Sequence, residues 1–471
     1  MLPFAKPNDR CITARLAICF LCCALFGTPA ALAQSGTDSE RLEKLERAVE
    51  LLQKRNADLE QEVRSLKKEK PSAPAPLTAE KRSRFVPDSK SSVEKSETTE
   101  EKKPVYVVPG GSEYKLTLGG YIQANFEGGD VSAFEGRFGL TQLQDRFRLR
   151  RARITLSGDF AEQFEFTVQG DFEQSDGLSS STRTGFSATD IFINWHRIPE
   201  ANFKVGQWKA PFGLENLTPD PQIFTIERSL PTGAIVPERQ IGVMLWGKPL
   251  TTALPEQKDL VTYYAGIFNG NGRNFNTNDN NEFMYVGRLE LLPFKDKLMG
   301  QDASLKIAGD YFFSRDQTGT NISPALNLRV GADGSLSSYT LTSPDERHAY
   351  SFDAWLKVGP FDLIGEYFNE NVRPGGTTFS EFTASGYYVL GGYFIIPKTL
   401  QAVVKYESLD PGQVANDGIH SITGGLNYYI HGDGIKVMAN YVHTWSDFRE
   451  ANPRFGTDQF DEVILRLQIM F

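Results

Sequence analysis

Cysteine is confined to the start of this sequence, where all four cysteines lie within the first 23 residues: Cys11, Cys19, Cys22 and Cys23. The remainder therefore offers no disulfide, no thiolate nucleophile and no cysteine-ligated metal site. Catalytic motifs are missing too, since neither a Gly-x-Ser-x-Gly element nor an HExxH element occurs. The histidines lie in separate segments without metal-ligand spacing: His196, His348, His420, His431 and His443. We expect no enzyme, no catalytic residue, no cofactor and no metal.

Long apolar runs are also missing. After residue 33 the best run is Val389–Ile396, which two glycines interrupt, whereas a transmembrane helix needs about 20 apolar residues. Only helices and closed barrels can span hydrocarbon, because every backbone polar group there must be satisfied within the protein. If this chain enters a membrane, it must do so as a barrel.

The first 33 residues resemble an export signal. Lys6, Arg10 and Arg15 precede an apolar run at 16–26, and Ala31-Leu32-Ala33 forms a small-x-small cleavage site. The run is too short for a comfortable transmembrane anchor. Bulky or apolar residues before Cys22 and Cys23 argue against lipidation. We expect residues 1–33 to be removed and the mature chain to begin at Gln34.

Residues 34–70 are predicted to form a short α-helical coiled coil. The apolar residues alternate three and four apart, with Asn56 at one core position, where an asparagine can fix the register of a parallel coil. They are Leu42, Leu45, Val49, Leu52, Leu59, Val63 and Leu66. The alternative is a single solvated amphipathic helix, but so narrow a seam would bury too little alone. Self-association is therefore favoured.

Residues 71–110 are predicted to be a disordered linker, since they combine six prolines with many Ser, Lys and Glu. At 1.5 Å per residue the coil would be roughly 45 Å long. Coil and linker together could then reach the cell wall, although no residue pattern demonstrates such contact.

Residues 111–471 alternate apolar and polar side chains with the period of a β-strand. In 460–471, Val463, Leu465, Leu467 and Ile469 share one face and Arg466 lies opposite. Segments of about ten residues, apolar outward and polar inward, are typical of transmembrane strands. Sixteen such segments occur, at 114–127, 145–160, 163–174, 187–198, 202–209, 238–247, 258–268, 283–293, 303–314, 347–358, 361–370, 382–394, 400–409, 418–430, 435–446 and 460–471.

Those segments predict an all-β protein with a 16-stranded antiparallel transmembrane barrel, because short and long connections alternate between them. The last segment ends in Phe471, and such an amphipathic C-terminal strand resembles the assembly signal of bacterial outer-membrane barrels. We therefore expect a bacterial outer-membrane location, with membrane lipid around the barrel. The alternative is the last strand of a soluble sandwich.

The densest basic cluster is the segment FRLRRARITLSG at 147–158. In a regular strand Arg148 and Arg150 would lie on one face, and Arg151 and Arg153 would lie on the other. A one-residue bulge at 150–151 would turn all of them inward. An arginine facing lipid would cost roughly 2–4 kcal/mol. Two interpretations remain open: a track that binds anions, and neutralisation of inward carboxylates such as Asp171.

Three segments resemble the phosphate-selective porin O and P family: FKVGQWKAPFGLENLT at 203–218, RRAR at 150–153 and RQIGV at 239–243. The resemblance covers about 114–471. It implies a homotrimeric porin whose third external loop, about 210–237, folds into the lumen. It also implies that small ions or anionic solutes such as phosphate pass through. Together with the basic cluster, it makes seven residues the candidates for pore lining and anion binding: Arg148, Arg150, Arg151, Arg153, Lys204, Lys209 and Arg228.

Acidic residues argue against a simple anion pore. The predicted third loop carries Glu215, Asp220 and Glu227 against Arg228, and residues 112–471 contain 31 basic and 43 acidic side chains. Carboxylate rings select cations as readily as arginine rings select anions. A non-selective or cation-preferring general porin therefore stays open, as does an envelope tether held by the coiled coil. The acidic balance argues against nucleic acid.

Overall fold

The computed structural model describes residues 114–130, 145–172, 186–278, 280–316, 328–330, 336–338, 345–375, 380–413, 415–453 and 457–471. The predicted export signal, coiled coil and linker lie outside these residues and stay predictions.

The described residues form a closed antiparallel barrel of sixteen strands, in which each strand pairs with its neighbours along the chain and the first pairs with the last. The first eight are β1 (Tyr114–Gly129), β2 (Arg146–Phe160), β3 (Phe164–Asp171), β4 (Ser187–Trp195), β5 (Asn202–Lys209), β6 (Arg239–Gly247), β7 (Val261–Phe268) and β8 (Met284–Leu298). The next is β9 (Gln301–Asp316), followed by a separate small hairpin of β10 (Leu328–Val330) and β11 (Leu336–Ser338). The barrel continues with β12 (Asp345–Val358), β13 (Phe361–Arg373), β14 (Phe382–Ile396), β15 (Leu400–Asp410), β16 (Ile419–His431), β17 (Ile435–Ser446) and β18 (Gln459–Met470).

All sixteen predicted strands are confirmed. The largest difference is at β8, which ends five residues beyond the predicted 283–293 and meets β9 at a tight turn. The hairpin β10–β11 was not predicted, because three-residue strands carry too little alternation to recognise.

The barrel has an apolar outside and a polar inside. On β18, Leu465 and Leu467 are 44–45% exposed, whereas Arg466 between them is 1% exposed and Gln468 is fully buried. Because successive side chains of a strand point to opposite faces, this alternation places the charges in the lumen. A soluble protein would show the reverse, so the exterior fits hydrocarbon and the interior fits water.

The predicted bulge in β2 is confirmed. Gln123 of β1 pairs with Arg151 and the next residue, Ala124, pairs with Leu149, so Arg150 is the extra residue. Arg150, Arg151 and Arg153 are all at least nine-tenths buried. The bulge therefore turns the arginines of both parities toward the lumen.

Connections at one end of the barrel are short, such as Gly359-Pro360, and those at the other end are long, such as 210–238. Short turns lie on the periplasmic side of bacterial barrels and long loops on the external side. No helix in the described part of the chain is both long and apolar enough to span a bilayer.

Candidate functional site

The third external loop, residues 210–238 between β5 and β6, lies inside the barrel. It contains two short helices, α1 (Leu214–Leu217) and α2 (Leu230–Ile235), and a 3-10 turn at Asp220–Gln222. Its apolar residues pack against inward side chains of the wall; Phe212, for example, is fully buried and meets Phe312 edge-on with ring centroids 5.0 Å apart. The loop thus narrows the lumen, as the family resemblance implies.

The start of this loop is anchored to carboxylates on the far wall. Asp310 of β9 accepts from the Gly213 N–H at 2.8 Å. Glu366 of β13 accepts from the N–H groups of Leu214 at 2.6 Å and Glu215 at 3.2 Å. These three N–H groups have no helical partner at the start of α1, so the carboxylates satisfy them. We call Asp310 and Glu366 the acidic anchor.

An arginine fills the space beside the acidic anchor. Asp310, Asp353 and Glu366 bring carboxylate oxygens within 4.8 Å of one another, a spacing that could suit a metal ion. The Arg288 guanidinium, however, donates to Asp310 at 2.7 and 2.8 Å and to Asp353 at 2.7 Å. Loop N–H groups and this guanidinium already form hydrogen bonds with the cluster, so its geometry serves to hold the loop.

The structure explains why the segment KAPFG at 209–213 ends in a glycine, Gly213. Its φ is +80°, a conformation that side chains rarely adopt. A Cβ there would lie 3.2 Å from Val236 Cγ2 and 3.3 Å from Glu366 Oε1. A side chain at this position would therefore strain the backbone and press on Val236 and Glu366, which disfavours the approach of the turn to the acidic anchor.

The rest of the loop is held by the arginines of the opposite wall. Asp220 accepts from Arg153 Nη1 at 2.5 Å, and Arg151 Nε lies 3.5 Å away. Asp220 also accepts from Arg228, which belongs to the loop itself. Glu227 accepts from Arg150 at 3.0 and 3.1 Å. Glu227 also accepts from Arg466 Nη2 of β18 at 2.9 Å. We call Asp220 and Glu227 the loop carboxylates.

These guanidinium groups keep the loop carboxylates ionised. Burial alone would raise the pKa of Asp220, but Arg151, Arg228 and Arg153 outweigh burial and hold the pKa well below its usual range. Burial likewise opposes ionisation of Glu227, and Arg150 and Arg466 outweigh it, so its pKa is also lowered strongly. Neighbouring opposite charge thus dominates over desolvation at both sites.

The seven predicted residues fall into three positions. Arg150, Arg151, Arg153 and Arg228 gather around the loop carboxylates. Arg148 lies along β2 toward the external end. The two lysines lie on β5: Lys209 donates to the Asn216 carbonyl at 2.6 Å, and the Lys204 ammonium lies 4.0 Å from the centre of the Phe192 ring.

Two cations of the site were missed by sequence reasoning. Arg466 bonds Glu227, and Lys405 of β15 donates to the Glu227 carbonyl at 3.2 Å. Alternation places both inside the barrel, but it does not show which inward residues meet across the lumen. The sequence therefore predicts that both side chains point into the lumen, but it does not predict that they meet Glu227.

A cavity of about 570 Å³, including the space open to solvent, lies beside the arginine wall. Its lining contains four basic and four acidic side chains, together with neutral ones. The charged residues are Arg148, Arg150, Arg228 and Lys405, and Glu127, Glu227, Glu407 and Glu462. This cavity is the candidate solute path past the loop.

The model of one protein family, phosphate-selective porin O and P, matches residues 121–471. The chain belongs to this family. The match covers every strand of the barrel except the beginning of β1. This porin is therefore a channel of the bacterial outer membrane. None of the curated proteins compared with the porin matches it.

Solved structures share the fold of this porin at low sequence identity. A loop L8 deletion mutant of OmpT from Vibrio cholerae has a TM-score of 0.51 at 11% identity, covering 76% of this chain and 100% of that chain. OmpT itself, folded in vitro, has a TM-score of 0.51 at 9% identity, with 78% and 100% covered. An anion-selective porin from Comamonas acidovorans has a TM-score of 0.48 at 11% identity, with 76% and 100% covered.

Proposed function

We propose that the porin forms a water-filled channel for passive diffusion of small hydrophilic solutes. The observation that carries this proposal is the internal loop: residues 210–238 narrow the lumen and leave a charged cavity between the loop and the wall. Polar side chains with few apolar neighbours favour hydrated solutes over apolar ones.

Anions such as phosphate are the proposed preferred solutes, along Arg148 and Arg150. Both arginines line the cavity, and guanidinium groups bind oxyanions through short, charge-assisted hydrogen bonds. The family match supports the same preference. In this proposal Arg151, Arg153 and Arg228 contribute through the field they create around the loop rather than through direct contact.

A second candidate is a weakly selective or cation-preferring porin. The equal numbers of acidic and basic side chains around the cavity favour it, as does the pairing of Arg150 with Glu227. The two candidates differ in one measurable property, which is the sign of the charge selectivity.

Reversal potentials across planar bilayers test that sign. In gradients of potassium chloride and potassium phosphate, the anion proposal expects a potential directed by the anion, whereas a cation-directed potential would end it. Replacing Glu227→Gln removes a carboxylate beside Arg150 and Arg466, so the selectivity should shift further toward anions. The matched control is Glu238→Gln, which removes an exposed carboxylate at the end of the same loop and should cause little change.

We also propose that the porin is a homotrimer, with β3–β6 facing the other copies. These four strands have only 8 or 9 residues, whereas β8, β9 and β12 have 14 to 16. A lipid-facing strand needs about 9–11 residues. Tyrosine and tryptophan are the residues typical of membrane interfaces. β3–β6 contain no tyrosine, and their tryptophans are not exposed, while exposed tyrosines occur elsewhere at Tyr285, Tyr311, Tyr350, Tyr367, Tyr387, Tyr393, Tyr428 and Tyr441.

The predicted coiled coil gives a further proposal, that residues 34–70 either assemble the trimer or contact the cell wall. Deleting 38–70 separates these roles. Loss of trimers would support assembly, whereas weakened envelope integrity with normal conductance would support an envelope tether.

A further inference from the structure

A second cavity lies in the lumen near the short-turn end of the barrel. Its volume is about 890 Å³, including the space open to solvent, and it is lined by residues of β7, β8, β9 and β12 and of the turn after β6. It shares no lining residue with the cavity beside the arginine wall.

Lys306 of β9 presents a buried ammonium to this cavity. The residue is 7% exposed, and its Nζ has no hydrogen-bond acceptor among the described residues. The Glu290 carboxylate is 3.9 Å away and already accepts from Arg288 Nε at 2.9 Å. An ammonium has three donors, and leaving them without acceptors in a buried place is costly. A small anion in the cavity would supply the missing acceptor.

The other charges of the cavity limit the charge of that anion. Lys248 pairs with Asp259 in the turn after β6. With Lys306, Lys357 and Glu290, the lining holds three lysines and two carboxylates, so its formal net charge is +1. A single negative charge is therefore balanced, whereas a dianion would also be repelled by both carboxylates.

Apolar side chains lie in the same cavity as Lys306. Leu292 of β8 and Trp355 of β12 line it. The Trp355 indole is fixed on two sides, since its Nε1 donates to Asp362 at 2.9 Å and its ring meets Phe224 of the internal loop edge-on, with centroids 6.0 Å apart. A rigid indole beside a leucine favours a flat apolar group.

We propose that this cavity binds a small monocarboxylate with an aromatic body, with Lys306 receiving the carboxylate and Trp355 and Leu292 contacting the ring. The role of the site in solute passage rests on the proposed channel function, but binding itself does not require conduction.

Benzoate is the probe for the test. Calorimetric titration of the detergent-solubilised full-length porin should show saturable benzoate binding. Lys306→Met keeps a similar side-chain length and leaves Glu290 bonded to Arg288, and it should weaken binding by about tenfold or more, the loss expected for a charged hydrogen bond. Lys306→Arg should restore most of the binding. The control Lys297→Met, an exposed lysine of β8 outside the cavity, should bind like the native porin.

Two results would overturn the proposal: native porin without saturable benzoate binding, or Lys306→Met that binds as tightly as Lys297→Met. Inorganic phosphate is the comparison ligand, and phosphate binding that Lys306→Met weakens as much as it weakens benzoate binding would refute the role of the apolar lining. Bilayer conductance in potassium chloride is measured separately. Conduction without benzoate binding refutes only this inference, whereas benzoate binding without conduction refutes only the channel.

Discussion

Gly213 shows how a single residue decides where the internal loop lies. Its φ is +80°, and a Cβ there would lie only 3.3 Å from Glu366 Oε1. Gly213→Ala should strain the backbone by about 1–3 kcal/mol and push the loop start away from Asp310 and Glu366. We expect larger fluctuations of the open-channel current. Gly432→Ala is the matched control, because Gly432 also has positive φ but lies in a short turn with nothing within 4 Å of the added Cβ; similar noise in both variants would disprove the link to the loop.

The protonation of the two loop carboxylates determines how attachment of the loop should depend on pH. In an unfolded chain Asp and Glu titrate near pH 4. Their pKa values are lowered in the native porin by the surrounding arginines. A carboxylate with a lowered pKa contributes stability above its unfolded pKa, and that contribution is lost only as the pH falls through the lower native value. We therefore expect the loop to stay attached between pH 7 and about pH 4.

Single-channel conductance measured across this pH range checks the expectation. Current noise attributable to loop release should not rise until the pH is well below 4. Glu227→Gln has no charge to titrate at one of the two positions, so its noise should already be raised at pH 7. A noise transition in the native porin between pH 5 and pH 7 would show that the loop carboxylates do not hold the loop.

At the scale of elements, alternation predicted all sixteen strands and the β2 bulge, because each depends only on neighbouring residues. The anchors of the internal loop could not be predicted in this way. Gly213 and Asp310 are 97 residues apart, and Leu214 and Glu366 are 152 apart. The alternation of apolar and polar residues predicts that a side chain points into the lumen. Its position along the barrel axis and around the circumference, and so its contacts, depend on the closed barrel. The position of the loop inside the lumen was predicted from the family resemblance instead.

The bulge itself can be tested by two deletions in β2. Removing Arg150, the extra residue, leaves Arg148 and Arg151 inward in an unbroken alternation. Removing Ala152 also gives an unbroken alternation, but Arg151 then faces lipid, at a cost of roughly 2–4 kcal/mol. In urea titrations of the refolded barrel, we expect the Ala152 deletion to be less stable than the Arg150 deletion. Equal stability would mean that the bulge has no part in turning the arginines inward.

At the scale of the whole molecule, the barrel wall differs around its circumference. β3–β6 are short and lack tyrosine, whereas the tyrosine-bearing strands β8, β9, β12 and β14 have 14 to 16 residues. β7 is equally short but contains Tyr263 and Tyr264, so among the barrel strands only β3–β6 combine short length with the absence of tyrosine. This side is better matched to another protein surface than to lipid. This asymmetry is visible only after the strands are placed around the barrel, since no single strand shows it.

Spin labels can locate the contact between copies. The sequence has no cysteine after residue 23, so a single introduced cysteine gives one defined site in each mature chain. In a trimer joined through β3–β6, labels on Ile193→Cys of β4 lie near the threefold axis, whereas labels on Tyr350→Cys of β12 lie on the outer circumference. Pulsed electron paramagnetic resonance should therefore give clearly shorter inter-label distances for Ile193→Cys. The opposite order would place the contact on the long-strand side, and no measurable distance from either label in intact porin would contradict the trimer.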